Sequence, residues 1–222
     1  MNLTIENVSY SYRNANMKAI KEASCDFKPG LLYAIMGPSG SGKSTLLSLL
    51  AGLDLPSEGD IRYGENSLKD MDLDRYRRED VSMIFQAFQL FPLLTVVENV
   101  CIPMELVGMS KAEAKPKAEE HLVRFGITSE KFKRFPSYLS GGEQQRVAIA
   151  RSLASGAQII LADEPTGNLD VENSDNIMEI LQGLARDDGY CVIVVTHDID
   201  VAKKADVVFR MRDGVMLLSE RE

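Results

Sequence analysis

This 222-residue sequence has no excess of basic residues, no long apolar run and no cysteines spaced as a pair. The chain has 33 acidic and 25 basic residues and a net charge of -8, whereas proteins that bind nucleic acids normally carry a basic surplus. The same acidic balance disfavours direct binding to an anionic lipid surface. Nucleic acid is therefore not an expected partner.

No segment approaches the roughly 18 consecutive apolar residues that a membrane-spanning helix needs. The first nine residues alternate like a strand and lack the charged start and apolar run of a signal peptide. Cys25, Cys101 and Cys191 are far apart in the sequence, which fits neither a zinc motif nor a disulfide framework. We therefore expect a soluble cytoplasmic protein, and any membrane-spanning partner must be a separate chain.

Short apolar runs rich in β-branched residues alternate with helical patterns along the chain. Four of them, typical of strands buried on both faces, span residues 31–36, 81–85, 159–162 and 191–195. This alternation predicts an α/β fold with a mainly parallel sheet. Residues 67–80, rich in Asp and Arg, predict a solvated helix. Residues from about 87 to 155 lack a strong strand, so we expect a helical subdomain inserted in a single domain whose core is formed by residues 1–86 and 156–222.

A glycine-rich loop follows the first of these four strands and opens a helix. The loop comprises Gly37, Pro38, Ser39, Gly40, Ser41, Gly42, Lys43, Ser44 and Thr45, and it fits the pattern G-x-x-x-x-G-K-[ST]. Such a loop turns backbone N–H groups towards phosphate oxygens, and the helix N-terminus adds partial positive charge. Lys43 can reach the β- and γ-phosphates, the Ser44 hydroxyl suits Mg²⁺, and Thr45 can add a phosphate contact. The absence of an N-K-x-D guanine motif disfavours a GTPase.

Two carboxylates, Asp163 and Glu164, follow the strand predicted over residues 159–162. Because the carboxyl ends of parallel strands meet at one edge of a sheet, both should lie near the phosphate loop. Asp163 is the candidate acid on the Mg²⁺ side, and Glu164 is the candidate general base for the attacking water. The alternative is a strand that merely ends in a polar turn, which is the weaker interpretation beside a phosphate loop.

Polar side chains also end two other predicted strands. Gln86 follows residues 81–85 and can bond a metal-bound water, and His197 follows residues 191–195 after Thr196. A lone histidine is more often structural than catalytic, but this one follows a buried strand. The other histidine, His121, lies in a charged helical stretch and is expected to be solvated.

A second helix begins with Ser140, Gly141, Gly142 and Glu143. A serine and two glycines at a helix N-terminus form an anion-binding arrangement. Ser140 and Glu143, three residues apart, equally match an ordinary capping box. Both interpretations stay open on these residues alone.

Taken together, these segments resemble the ATP-binding subunits of ABC transporters. The resemblance rests on the phosphate loop, Gln86, Ser140-Gly141-Gly142, Asp163-Glu164, Asn168-Leu169-Asp170 and His197, in this order. It covers nearly the whole chain. It implies a P-loop NTPase core with an N-terminal antiparallel β subdomain and an inserted α-helical subdomain, with ATP and Mg²⁺ as cofactors. The candidate catalytic residues are Glu164, His197, Gln86 and Lys43, and the candidate metal ligands are Ser44, Gln86 and Asp163.

The resemblance also implies a head-to-tail dimer with two ATP molecules at its interface. Each ATP would touch the phosphate loop of one chain and the second chain's Ser140, Gly141, Gly142 and Glu143, which explains two phosphate-type sites beside one lysine-bearing loop. It places Asp170 at the interface, His197 at the γ-phosphate and Tyr12 on adenine, with Tyr10 as the competing aromatic residue. Residues Leu139 to Glu143 match the signature pentapeptide of this family, whose fifth position is commonly Gln, so Glu143 adds negative charge that can weaken ATP affinity.

Residues 77–92, 98–103 and 166–170 resemble one ABC subgroup, which holds the lipoprotein-releasing, macrolide-exporting, antimicrobial-peptide-resistance and cell-division ATPases. That subgroup implies a permease on a separate chain and a location on the inner face of the membrane through this permease. Export or extraction of peptides, antibiotics or lipoproteins is one expectation, and signalling in cell-wall remodelling is the alternative. A soluble ABC ATPase of DNA repair or translation is disfavoured by the single cassette and acidic balance.

Apolar residues cluster beside Gln86 in the sequence: Phe85, Phe88, Leu90, Phe91, Leu93 and Leu94. They can form a groove for a helix of the permease. Core packing of the inserted subdomain is an equally good interpretation.

Overall fold

The computed structural model describes residues 1–13 and 17–219. The strands are β1 Leu3–Tyr10, β2 Ile20–Phe27, β3 Leu32–Met36, β4 Glu58–Tyr63, β5 Asn66–Ser67, β6 Val81–Phe85, β7 Ile159–Asp163, β8 Cys191–Thr196, β9 Val207–Arg212 and β10 Val215–Leu218. The helices are α1 Lys43–Leu50, α2 Leu73–Glu79, α3 Val96–Leu106, α4 Lys111–Arg124, α5 Gly141–Leu153, α6 Val171–Arg186 and α7 Ile199–Lys203. Short 3₁₀ turns span Ser129–Lys131 and Pro136–Tyr138.

Two sheets organise these elements. The smaller sheet has the order β2-β1-β4-β5 and is antiparallel, and the larger has the order β10-β9-β3-β8-β7-β6. In the larger sheet β9, β3, β8, β7 and β6 run parallel, and β10 pairs antiparallel at one edge. The predicted α/β class, with a mainly parallel sheet and an antiparallel N-terminal sheet, is confirmed.

Alternate residues of the central strands face two different hydrophobic cores. Ile160 and Ala162 pack on the side of α3, α5 and α6, whereas Ile159 and Leu161 pack on the side of α1 and the smaller sheet. Strands buried on both faces need apolar residues at every position, which explains their continuous apolar runs. The polar residues that follow the strands are thereby confined to the carboxyl edge of the sheet.

Helices α3, α4 and α5 lie between β6 and β7, and no strand interrupts them in the part of the chain that the structure describes. Each helix is preceded by a serine or threonine whose backbone N–H donates to a glutamate carboxylate three residues later. The three pairs are Thr95–Glu98 at 2.7 Å, Ser110–Glu113 at 3.2 Å and Ser140–Glu143 at 3.0 Å. These capping contacts fix where each helix begins.

Two local predictions need correction. The predicted solvated helix of residues 67–80 is only the seven-residue α2, and Tyr76 in that helix is fully buried, with its hydroxyl donating to the Leu50 carbonyl at 2.8 Å. His121 is half-buried rather than solvated, and this burial lowers its pKa. None of the helices that the structure describes combines the length and the apolar composition of a bilayer span.

Candidate active site

The glycine-rich loop leaves β3 and turns sharply into α1. A Cβ atom at Gly37 would lie 2.1 Å from the Met211 carbonyl oxygen, so any side chain there would clash. Gly42 has a φ of +106°, and a Cβ atom there would lie 2.6 Å from the Ala19 carbonyl oxygen. Only glycine allows this turn and this close approach of backbone segments.

Lys43 folds back over the loop from the first turn of α1. Its Nζ donates to the carbonyl oxygens of Gly37, at 2.8 Å, and Pro38, at 3.1 Å. The ammonium group is therefore held inside the loop, beside the N–H groups at the start of α1. Both features attract phosphate.

Asp163, at the end of β7, faces the first turn of α1. The Ser44 hydroxyl donates to Asp163 Oδ1 at 3.3 Å. Burial raises the pKa of Asp163, and the Ser44 hydrogen bond and the charge of Lys43 oppose that effect. One hydroxyl and one carboxylate are the kind of oxygen ligands that would hold Mg²⁺ together with substrate phosphates and water. No cluster of three or more His, Cys, Asp or Glu able to hold a metal alone occurs among the described residues.

Glu164 occupies an unusual backbone position between β7 and the next loop. Its φ is +48°, in the left-handed region, and its N–H donates to the Val195 carbonyl at 3.0 Å. One carboxylate oxygen lies 2.8 Å from His197 Nδ1, and the other accepts from the Thr196 hydroxyl at 3.3 Å. Thr196, the last residue of β8, and His197, directly after it, therefore orient this carboxylate.

A single cavity of about 850 Å³ brings most of the predicted site residues together. Its lining consists of Tyr12, Ala19, Pro38, Ser39, Gly40, Gly42, Lys43, Ser44, Thr45, Gln86, Asp163, Glu164 and His197. Gly37 and Ser41 belong to the loop but not to this lining. Ser140, Gly141, Gly142, Glu143 and Asp170 are also outside it, so the second predicted anion site does not share this cavity.

Tyr12 and Tyr10, the two competing aromatic residues, have different environments. Tyr12 is 53% exposed, lines the cavity, and its hydroxyl lies 2.8 Å from the Thr45 hydroxyl. Tyr10 is only 8% exposed and is hydrogen-bonded to Asp54, which together with burial raises its pKa to about 12. The Tyr12 ring is thus the one available to a ligand in the cavity.

The N-terminus of α5 forms a separate surface, which we call the helix tip and define as Ser140, Gly141 and Gly142. The capping box is present, because the Ser140 Oγ accepts from the Glu143 N–H at 3.4 Å and the Ser140 N–H donates to Glu143. The first intrahelical bond runs from the Gln144 N–H to the Ser140 carbonyl, so the N–H groups of Gly141 and Gly142 precede it. The two interpretations of this segment are therefore compatible.

The helix tip packs against the start of α6. A Cβ atom at Gly142 would lie 2.0 Å from Asn173 Oδ1, so a larger residue would displace that side chain. Asn173 in turn donates to both carboxylate oxygens of Asp170, at 3.0 and 2.9 Å. Asp170, the N-cap of α6, is thus held beside the helix tip rather than beside Lys43.

A groove of about 390 Å³ lies on another face, between the loop after β6 and helix α3. Its apolar lining includes Leu53, Phe85, Phe91, Ile102, Pro103 and Leu106, and its cations are Arg77, Arg78 and Arg151. Arg151 donates to the carbonyls of Phe88, at 3.0 Å, and Gln89, at 2.5 Å. Of the apolar residues predicted beside Gln86, Phe85 and Phe91 line this groove, whereas Leu90 packs on the core.

Sequence reasoning did not select Thr196, Ala19 or Asn173. Thr196 is the last residue of a buried strand, directly before His197. The expectation that site residues lie at the carboxyl ends of parallel strands would therefore have found it. Ala19 lines the cavity from the start of the smaller sheet, and no local pattern marks it. Asn173 was missed because its role at the helix tip depends on tertiary contacts with Gly142 and Asp170.

A phosphate-binding loop, a carboxylate pair and an oriented histidine at one sheet edge define a P-loop nucleotide hydrolase. Residues 20–167 match the family described as ABC transporter. The chain belongs to the ABC transporter ATP-binding family and is an ATPase.

Known relatives cover nearly the whole chain. The ABC transporter ATP-binding protein YclH of Bacillus subtilis is 38% identical over 218 residues, which is 98% of this chain and 96% of YclH. The macrolide export ATP-binding/permease protein MacB of Rhodopseudomonas palustris is 43% identical over 94% of this chain, but only 32% of MacB is matched. These similarities agree with the predicted subgroup.

One solved structure is similar to this chain over nearly its whole length. It is the dimeric, post-hydrolysis state of the ATP-binding cassette MJ0796 bound to ADP and Pi, and MJ0796 is a protein of Methanocaldococcus jannaschii. The TM-score is 0.87 and the identity 38%, with 99% of this chain and 100% of that chain covered.

Proposed function

We propose that two copies of this chain bind two ATP molecules between them in a head-to-tail dimer and drive a separate membrane permease. One observation carries the proposal: the helix tip has the groups of an anion site but lies outside the cavity that holds Lys43 and Glu164. A second copy, turned by a two-fold axis, can bring its helix tip over that cavity. The dimeric structure of MJ0796 supports this arrangement.

In this proposal the phosphate loop and Lys43 bind the β- and γ-phosphates. Ser44, Asp163 and Gln86 would hold Mg²⁺, which when bound neutralises charge on the phosphate oxygens. The 3.3 Å contact between Ser44 and Asp163 places both groups at one point of the cavity wall. Gln86 shares that cavity and also accepts a hydrogen bond from Asn168 on its backbone carbonyl, at 2.9 Å.

Glu164 orients the attacking water and accepts its proton as the water oxygen bonds to the γ-phosphorus, while the bond from that phosphorus to the bridging oxygen breaks and ADP leaves. General bases work best when a further group holds them in place, and here His197 and Thr196 hold the two carboxylate oxygens. His197 also projects into the cavity, where its ring can contact the γ-phosphate. Catalysis then depends on positioning and on charge stabilisation.

The partner's helix tip completes the site in this proposal. The N–H groups of Gly141 and Gly142 and the Ser140 hydroxyl would face the γ-phosphate bound by the other chain, from the positive end of α5. Asp170 and Asn173, packed on the helix tip, would then lie at the interface. ATP binding closes the dimer and hydrolysis reopens it.

Removing the Tyr12 ring should weaken ATP binding to the single chain. Tyr12→Ala is expected to raise the Kd for ATP about tenfold, because stacking of a base on an aromatic ring contributes roughly 1–3 kcal/mol. Tyr12→Phe keeps the ring and loses only the contact with Thr45, so its Kd should change little. Titration with a fluorescent ATP analogue measures both. An equal loss in both variants would assign the effect to the hydroxyl instead of the ring.

We propose the groove beside α3 as the docking site for a permease helix. Its lining combines apolar side chains with Arg77, Arg78 and Arg151, of which Arg77 also pairs with Asp74. This combination suits an amphipathic helix that carries acidic residues. Phe85 and Gln89, on either side of Gln86, both line the groove, and Phe88 and Gln89 adopt positive φ angles of 59° and 51°. A helix seated there would touch the segment that leads directly into the ATP cavity.

A charge in this groove should prevent docking. Leu106 lines the groove and is 63% exposed, so Leu106→Asp is expected to abolish co-purification with the permease. Leu217 on β10 is 65% exposed and lies outside the groove, so Leu217→Asp serves as the matched control and should still co-purify. Loss of binding in both variants, or in neither, would place the docking site elsewhere.

For the transported molecule we propose export or extraction of peptides, antibiotics or lipoproteins, supported by the similarity to MacB. The cassette would then sit at the inner face of the membrane through its permease, with residues from about 87 to 155 as a helical subdomain that meets it. Signalling in cell-wall remodelling is the second candidate, from the same subgroup resemblance. Deletion of the gene separates the two, because drug sensitivity supports export and chain-forming cells support signalling.

A further inference from the structure

Glu143 stands at the fifth position of the signature, where its charge would be expected to face ATP. In the structure its carboxylate instead turns back along α5 and is only 16% exposed. One oxygen accepts from the Ser140 N–H at 3.0 Å, and the other forms an ion pair with Lys131, which is 29% exposed. Burial alone would raise the pKa of Glu143, but the hydrogen bonds from Lys131 and Ser140 and the charge of Lys131 lower it overall.

Lys131 itself is fixed to the helical subdomain. It ends a 3₁₀ turn, and the next residue, Phe132, is buried in the core. The carbonyl oxygens of Phe132 and Arg134 accept from the N–H groups of Val97, at 3.1 Å, and Val96, at 2.8 Å. These are N–H groups of the first turn of α3, which otherwise lack helical partners. The segment that carries Lys131 is therefore attached to the same helix that lines the groove.

We propose that Lys131 is a positioning residue for the ATP molecule that the other copy binds. It holds the Glu143 carboxylate in the capping box and cancels its charge, so that the helix tip presents N–H groups to a triphosphate without repelling it. Without Lys131 the carboxylate would be unpaired beside a strongly anionic ligand, and like charges at close range weaken binding. The inference rests on the proposed two-copy site, because the helix tip does not meet the nucleotide of its own chain.

A set of full-length variants tests this assignment. Lys131→Gln removes the ion pair, and Lys131→Arg keeps it. Lys131→Gln with Glu143→Gln removes both charges, and Glu143→Gln alone is the reference for that double variant. Lys133→Gln is the matched control, because Lys133 is an exposed lysine two residues away. The KM and kcat of ATP hydrolysis are measured at low and high salt. Kd for a fluorescent ATP analogue is measured on the monomer, and urea unfolding reports whether each variant folds.

Lys131→Gln should raise KM about tenfold at low salt, with less effect on kcat and with monomer Kd unchanged. High salt should shrink the difference, since the repulsion is screened. Lys131→Arg should restore KM, and Lys131→Gln should have no further effect on KM once Glu143 is Gln. Lys133→Gln should behave like the original chain.

The inference is overturned if Lys131→Gln raises KM equally with Glu143 or Gln at position 143, or if Lys133→Gln has the same effect. A rise in monomer Kd would also overturn it. If Lys131→Gln does not fold, the double variant, which has no unpaired charge, decides through its KM relative to Glu143→Gln alone. Failure of the proposed dimer is distinguishable, because the chain would then stay monomeric with MgATP when turnover is blocked at Glu164.

Discussion

Glu164→Gln should leave ATP binding intact and lower turnover about 10²- to 10⁴-fold, the range typical for loss of a general base. The amide has the size of the carboxylate but cannot accept a proton from water. The hydrogen bond from Thr196 can be kept, so the loop should retain its shape. The left-handed backbone is no obstacle, because Gln89 already adopts a φ of +51° in this chain.

The variant should also accumulate as a dimer. If ATP closes two copies and hydrolysis reopens them, a chain that binds but does not hydrolyse stays closed. Size-exclusion chromatography with light scattering, with MgATP and with MgADP, measures this directly. Glu179→Gln, on the exposed face of α6, is the matched control and should hydrolyse ATP and remain mainly monomeric. Normal turnover by Glu164→Gln would contradict the role assigned to this carboxylate.

Mixing two inactive variants should restore activity. Ser140→Arg places a bulky cation at the helix tip, and Lys43→Ala removes the ammonium group from the phosphate loop, so each homodimer has two defective sites. In a mixed dimer both defects fall in one site, and the other combines an intact Lys43 with an intact helix tip. With random pairing half the dimers are mixed, so activity should return to roughly a quarter of the original value.

The single variants supply the controls for this experiment. Ser140→Arg should abolish hydrolysis while the monomer keeps its Kd for ATP, because the helix tip lies outside that chain's own cavity. Lys43→Ala should weaken nucleotide binding by the monomer itself. A mixture that stays as inactive as its components, although mixed dimers form with MgATP, would show that each chain uses its own Ser140.

The strand-end residues could be predicted because their positions follow from one rule. Apolar runs of four or five residues predict these strands, and parallel strands bring Gln86, Asp163, Glu164 and His197 to one edge. The phosphate loop is a contiguous motif and needs no tertiary information. These features are local in sequence, and the fold only assembles them.

Contacts between distant segments could not be predicted. Lys131 pairs with Glu143 across a turn that no motif marks, and the burial of Tyr76 depends on its contact with Leu50, 26 residues earlier. The lining of the groove is a similar case, since three of its six named apolar residues come from α3, and Leu53 comes from the segment after α1, rather than from the residues beside Gln86. In each case the partner is set by packing, and a single sequence contains no periodic signal for it.

The backbone conformation of Glu164 affects which inherited variants at this position can fold. At a φ of +48° a β-branched residue is strongly disfavoured, whereas glutamine fits. Glutamate and glutamine codons differ by one base, so a point mutation can produce a polypeptide that folds, takes up nucleotide and still pairs. In the proposed dimer such an allele would be dominant in a cell that also makes the normal product, because the ATP that the Glu164→Gln copy leaves unhydrolysed would keep every mixed pair closed.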